Sequence, residues 1–305
     1  MRRFAYRGLL TLAAFWVIVT LVFALLRLAP GGPFDGERRL PPEIEANLRA
    51  AYHLDAPLPE QYLRYAGMLL RGDLGPSFRQ KDFTVNELIA SGLPVSLAVG
   101  GIALAIAVAA GLAIGIGAGM RPGSRTDRLL MAATGLGIAL PSIVLAPVAI
   151  LVFSVTLRWL PAGGVGTIWH YLLPGLALAA PFVTAIARLT RGSVAEIALL
   201  PHVRTARSKG LPAGRILSRH VLPMALLPVV SFIGPAAAGL LTGSVVVEQI
   251  FDLPGIGRYF VQAALNRDYT LVMGVVVVYA AFILLFNLMV DLAYSRLDPR
   301  IQNDP

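Results

Sequence analysis

The chain has 305 residues, 56% hydrophobic and only 14% charged, with a mean hydropathy of +0.71 and a net charge of +9. That is too apolar for a soluble domain of this length and points to an integral membrane protein, all-α in class. With no cysteine there is no disulfide framework, thiolate nucleophile or Cys-ligated metal; the basic residues gather at the ends of apolar runs, which favours a membrane's cytoplasmic face over nucleic acid.

Residues 9–26 form an uncharged run between Arg7 and Arg27, with Arg2 and Arg3 ahead of it. A cleaved signal peptide competes with a first span. The run is long for a signal core and lacks a small-x-small cleavage site before Pro30, so an uncleaved span with its N-terminus inside is expected. From 27 to 91 the composition changes, with seven prolines from Pro30 to Pro76 and nine acidic against eight basic residues. This reads as a long extramembrane loop, free to face outside because long loops translocate despite their charges. Within it, 42–54 has helical spacing, with Ile44, Leu48 and Ala51 on one side.

Residues 88–120 carry no charge and suffice for a second span. Gly111, Gly115 and Gly119 recur every four residues, either as a close-packing seam or as glycine simply tolerated in a membrane helix. Arg121, Arg125 and Arg128 make a basic turn expected to be cytoplasmic. The third run, 129–157, is interrupted by Pro141 and Pro147, so it should be kinked or broken, lining a pathway or satisfied by neighbouring helices. A Gly/Pro turn at 158–170 carries Trp159 and Trp169, suited to an interfacial belt. The fourth span is 171–187, ending at Arg188 and Arg191.

Next comes 201–228, with Arg204, Arg207, Lys209, Arg215, Arg219, His202 and His220. Gly210 suits the residue past a helix end, and Pro212 the first turn of the next piece. Two short helices joined at a break are predicted, with Arg204 and Arg207 on one face and Arg215 and Arg219 on another. Such a hairpin is either a topology anchor or a docking element on the cytoplasmic side. His202 and His220 read as solvated rather than metal-bound. The fifth span is 222–247, where Thr242 and Ser244 face either a pathway or a neighbouring helix. Residues 248–268 are polar and expected outside. The sixth span is 269–290, with Asn287 and Asp291 near its end as cap or interfacial anchor, and 295–305 is a polar tail. The segments assigned inside hold fifteen basic residues against three in the two short outside loops, so both termini are expected to be cytoplasmic.

Thr205-Ala206, Gly210 and Leu222-Pro223 resemble the cytoplasmic Glu-Ala-Ala loop of bacterial ABC importer permeases. Arg204 and Thr205 stand for the Glu and first Ala, and His220 for an Ile. The variant Val203-Arg204-Thr205-Ala206-Arg207-Ser208-Lys209-Gly210-Leu211 is similar to the dipeptide/oligopeptide and nickel importer group. So are Leu28-Ala29-Pro30-Gly31-Gly32-Pro33, Leu54-Asp55-Ala56-Pro57-Leu58, Gly72-Asp73-Leu74-Gly75-Pro76-Ser77, Gly243 to Phe251, Leu253 to Arg258, Arg267-Asp268-Tyr269 and Leu297 to Ile301. One departure is Gly32, where the group usually has Asp.

The resemblance implies a type I importer permease with six transmembrane helices. Its segments would be a first helix within 1–28, an external loop at 29–91, and a five-helix core at 92–301. A cytoplasmic coupling loop at 190–222 lies between helices 4 and 5, and 302–305 ends the tail. It further implies a bacterial inner-membrane complex with a second homologous permease, two P-loop ATPase subunits that bind ATP and Mg, and an external solute-binding protein. Arg204, Thr205, Ala206 and Gly210 would contact the ATPase first, with Arg207 and Lys209 behind them. Ala206 and Gly210 would matter by being small. The solute would be a small peptide, a peptide-like molecule or a nickel complex.

The residues themselves agree that ATP is not handled here. No G-x-x-x-x-G-K-[ST] stretch exists, and the two lysines, Lys81 and Lys209, follow no phosphate-cradling loop. An ATP-independent secondary transporter or channel is the alternative, but the centres of the spans lack the ionisable residues that bind a coupling ion. An enzyme would need a polar constellation, and neither G-x-S-x-G nor H-E-x-x-H occurs.

Overall fold

The computed structural model describes residues 2–28, 53–80, 82–243 and 245–297. The helix expected at 42–54 lies outside them except for its last two positions, which form a turn. Ser244, Asp298 and the tail beyond also lie outside. Apart from one isolated bridge between Pro76 and Thr84, the described residues are helical or irregular.

In chain order the helices are α1 Arg2–Leu28, α2 Leu58–Leu70, α3 Val85–Gly119, α4 Arg125–Ala139 and α5 Ser142–Ala149, which runs on as a π-helical stretch, Ile150–Thr156. Then come α6 Ile168–Ile197, α7 Pro201–Ser208, α8 Ala213–Ile216 with a π-helical turn Leu217–Val221, and α9 Leu222–Ala225. The chain continues with α10 Leu227–Leu241, α11 Val245–Ile250, α12 Ile256–Leu265 and α13 Tyr269–Leu297. Among the described residues, five helical segments are long and apolar enough to cross a membrane, and six if the bent pair 125–139 and 142–156 is one span. That pair turns by 106° at Pro141. Pro141 sits at φ −58°, ψ 147°, extended, and starts α5 instead of continuing α4.

Several boundaries differ from the sequence reading. The fourth span does not stop at Ala187, since α6 continues through Arg188, Arg191 and Glu196. Within that extension Arg191 pairs with Asp127 at 2.7 Å. The fifth run breaks at Gly243, whose φ is +82°, and resumes as α11. Glu248, read as the start of an external loop, is fully buried within α11, and α12 occupies much of what was read as that loop. Part of the supposed loop 29–91 is also helical, as α2.

Contacts divide the chain into two units, with the boundaries inside α3 and α13 and between α11 and α12. One unit comprises Met1–Ser96 and Pro254–Leu284. Its core packs Val19 of α1 with Val85, Ile89, Ile256, Leu271 and Val275. Asp268, 1% exposed, caps α13 by accepting from the Leu271 amide at 3.1 Å. Its carboxylate also accepts from the Ser77 hydroxyl, the Phe78 amide and the Arg79 amide, while Thr270 Oγ1 donates to the Pro76 carbonyl at 2.7 Å. The Gly72-to-Ser77 and Arg267-to-Tyr269 phrases, distant in sequence, are therefore one joint.

The other unit comprises Leu97–Leu253 and Leu285–Pro305. Its frame is α3 against α6. A Cβ on Gly111 would lie 2.7 Å from the Ile186 side chain, on Gly115 2.5 Å from Thr190, and on Gly119 2.8 Å from Val194. Positions four apart on one helix thus meet positions four apart on the other, ridge against ridge. The glycine repeat is a packing seam and not mere tolerance. On the other side of α6, Gly137 of α4 comes equally close to Ala180 and Thr184.

Candidate functional site

The basic hairpin grows from the ends of α3 and α6. Pro201 opens α7 at its first turn, where a missing N–H is free of cost, and restricts Leu200 to the extended conformation seen, ψ 151°. Of α7 only Val203 and Ala206 turn inward, three residues apart, onto Val194 of α6 and onto Ile216, Val221 and Ala225 of the second arm. Ile116 and Met120, where α3 ends, and Ile197 of α6 close the same cluster. The glycine seam therefore leads directly into the hairpin through Val194.

The break between the arms is a Schellman cap. Leu211 N–H donates to the Ala206 carbonyl at 3.3 Å and Gly210 N–H to the Arg207 carbonyl at 3.0 Å, with Gly210 at φ +74°. Nothing lies within 4 Å of where a Gly210 Cβ would be. Within this chain, glycine is needed here for its backbone conformation and not for want of space. Pro212 is the residue before α8, with φ −65° and ψ 145°, one position earlier than expected. His202 Nε2 donates to the His220 carbonyl at 3.3 Å, tying the first arm to the second.

The outer surface is cationic. Arg204, Arg207, Lys209, Arg215 and Arg219 are all exposed, and no Asp or Glu occurs between Ile197 and Glu248. Thr205 is exposed, with its hydroxyl bonded back to the Pro201 carbonyl at 3.0 Å. Ala206, by contrast, is 5% exposed and belongs to the hairpin's own core. Its small size lets α7 sit down on α6, and its side chain does not face outward with its neighbours. Thr242, at the end of α10, stands apart from the hairpin. It is buried, and its hydroxyl donates within its own helix to the Ala238 and Gly239 carbonyls. Ser244 lies outside the described residues.

One pair escaped the sequence reading. Arg191 on α6 grips Asp127 with two N–H groups, at 2.7 and 3.2 Å, and the Gly123 amide donates to the same carboxylate at 2.8 Å. The basic turn after α3 is thereby fixed to the helix that carries the hairpin. The available signal was Asp127 itself, the one acid in a turn of arginines.

No group of three potential metal ligands occurs among the described residues. A rigid cationic knob on two tightly packed spans can instead dock on an acidic surface and pass a displacement into α3 and α6 without absorbing it.

Known proteins share this sequence and fold. The pattern of the binding-protein-dependent transport system inner membrane components matches residues 111–303. The chain is 46% identical to the oligopeptide transport system permease protein OppB of Haemophilus influenzae, over 99% of this chain and 100% of that one. It is 40% identical to the dipeptide transport system permease protein DppB of Bacillus subtilis, over 95% of this chain and 94% of that one. Among solved structures, the inward-facing MetNI methionine ABC transporter superposes with a TM-score of 0.54 at 20% identity, covering 69% of this chain and 96% of that one. An amino acid ABC transporter solved with histidines gives 0.53 at 20% identity, covering 69% and 94%. With the family pattern over most of its helical body and relatives matched from end to end, this chain belongs to the binding-protein-dependent transport system inner membrane components, the multi-pass permease subunits of ABC importers.

Proposed function

We propose that this chain is one of two transmembrane subunits of an importer for oligopeptides. Its six spans, counting the bent pair as one, form half of a translocation path, and a second homologous permease forms the other half. Both termini and the basic hairpin face the cytoplasm, in keeping with the distribution of basic residues. An external solute-binding protein docks on exposed parts of the segments 29–91 and 248–268 and delivers the peptide. Two P-loop ATPase subunits bind ATP and Mg and hydrolyse the ATP. This chain holds no phosphate loop of its own.

The observation that carries the reading is the hairpin. Its inner face is locked onto α3 and α6, while Arg204, Thr205, Arg207 and Lys209 are exposed in a stretch that holds no Asp or Glu between Ile197 and Glu248. Seated in a groove of the ATPase, it follows that subunit as ATP closes the pair. The stiff glycine seam then tilts α3 and α6 from an inward-open to an outward-open arrangement. Oligopeptides are favoured as solute because relatives at 45–46% identity carry that name over 97–100% of their length.

The test is purification of the tagged chain from its native membrane, identification of co-purifying chains, and uptake of a labelled oligopeptide by proteoliposomes of the complex. The reading expects a second permease, P-loop ATPases, and uptake that needs both ATP and the binding protein. A chain that purifies alone and moves peptide without ATP would overturn it.

A further inference from the structure

At the end of α1 the sequence stops being apolar at Arg27, which brings a guanidinium to the membrane boundary. There α1, α2 and the start of α13 enclose a pocket, with Arg27, Tyr65 and Tyr269 on its polar side and Phe23, Leu26 and Met273 on its apolar side. Arg27 leans over the Phe23 ring at 5.4 Å from its centroid, and no carboxylate among the described residues pairs with it. The Tyr65 hydroxyl is buried and has no hydrogen-bond partner among the described residues. A buried phenol O–H without an acceptor is unfavourable, and Tyr65 lines a pocket that also holds an arginine, a pairing suited to an anionic oxygen. Burial raises the Tyr65 pKa, which keeps that proton available to donate.

A second observation says where this oxygen comes from. The Tyr62 hydroxyl meets that of Thr20 at 2.7 Å, and Phe23 meets Tyr62 edge to face and stacks with Tyr65. Thr20 precedes Arg27 by seven residues, about 10 Å along the helix. Helix α2 therefore lies beside the last turns of the α1 apolar run instead of standing clear of the bilayer. Its outer side exposes Leu63 at 70% and Leu70 at 76%, each followed by an arginine, Arg64 and Arg71. Leucines toward acyl chains with arginines at headgroup level is the pattern of a helix lying in one leaflet.

We propose that this pocket binds one phospholipid of the leaflet in which α1 ends, its phosphate held by Arg27 and the Tyr65 hydroxyl and its acyl chain along Phe23, Leu26 and Met273. The guanidinium offers two parallel N–H groups to a phosphodiester, and the phenol supplies a third donor. The lipid acts as a wedge that fixes α2 against α1 and α13.

The test uses the full chain in its assembled complex, in nanodiscs of phosphatidylethanolamine and phosphatidylglycerol doped with a photoactivatable phosphatidylglycerol. Adducts should map to 20–27, 62–70 and 269–273. Arg27→Gln should cut them about tenfold, the loss of one charge-assisted contact, and Arg27→Lys by less. Tyr65→Phe removes only the hydroxyl and keeps the packing, so it serves if Arg27→Gln fails to assemble. It should cut labelling severalfold. Labelling unchanged in Arg27→Gln or in Tyr65→Phe overturns the proposal. Displacement by millimolar inorganic phosphate overturns it in favour of a free anion, and displacement by an oligopeptide in favour of a peptide carboxylate.

Discussion

Replacing Gly210 separates backbone conformation from bulk as the source of the hairpin's rigidity. At φ +74° an L-residue other than Asn is disfavoured by about 1–2 kcal/mol. Nothing stands within 4 Å of a Cβ at this site, so steric contact adds nothing in the isolated chain. Ala should cost about 1 kcal/mol, a roughly fivefold shift away from the capped state; Val, β-branched, should cost about 2 kcal/mol or more, a shift of about thirtyfold. Asn tolerates the left-handed region and should stay near the parent. The cap holds only the hairpin, so insertion and assembly should survive in all three. The assay is peptide uptake per ATP hydrolysed in proteoliposomes of the complex. The expected order is Gly, Asn, Ala, Val, with hydrolysis continuing in Val while uptake falls. Full coupling in Gly210→Val would refute the reasoning. Asn as damaging as Val would refute it too, since bulk against the ATPase would then matter more than φ.

Gly115→Val should separate α3 from α6, because its Cβ would fall 2.5 Å from Thr190 and 2.7 Å from the Ala187 carbonyl. A cost of about 1–3 kcal/mol is expected, seen as a lower thermal midpoint of the purified chain, and an unchanged midpoint would contradict the seam. Asp268→Ala removes a cap and strands the buried Ser77 hydroxyl and Leu271 amide, at about 3 kcal/mol. Limited proteolysis should then open 72–84 first. Arg204→Glu with Arg207→Glu should weaken ATPase association and flatten its salt dependence, since both charges are exposed in a stretch without acidic residues. Association that keeps its full salt dependence would place the contact elsewhere.

What could be read from the sequence was whatever is local or periodic. The apolar runs, the break at Pro141 and the cap at Gly210 each depend on a few adjacent residues, and the structure holds all three. The glycine repeat gave the right spacing, but only the facing Ile186, Thr190 and Val194 decide that it is a seam. Long-range partners were not legible. Ala206 reads as a small contact residue until Val194 and Ile216 are seen to cover it. Asp127 and Arg191 are 64 positions apart, so neither predicts that α6 continues past Ala187. Helix α2 was hidden because its turn-rich flanks dominate the composition of 29–91, and its apolar face gains meaning only beside Phe23 and Thr20. Glu248 was misplaced for the same reason, since a carboxylate at the end of an apolar run looks like a boundary until its surroundings bury it.

The central claim is that the outer face of α7 seats in the ATPase, and because the chain has no cysteine, single thiols can test it cleanly. Thr205→Cys and Arg207→Cys would be treated with a short bifunctional crosslinker in the assembled complex, with Trp169→Cys at the opposite end of α6 as the control. The account predicts crosslinks to the ATPase from 205 and 207, changing in yield when ATP is added, and none from 169. Thiols at 205 and 207 that an aqueous maleimide labels freely in the complex, yet that never join the ATPase, would contradict it.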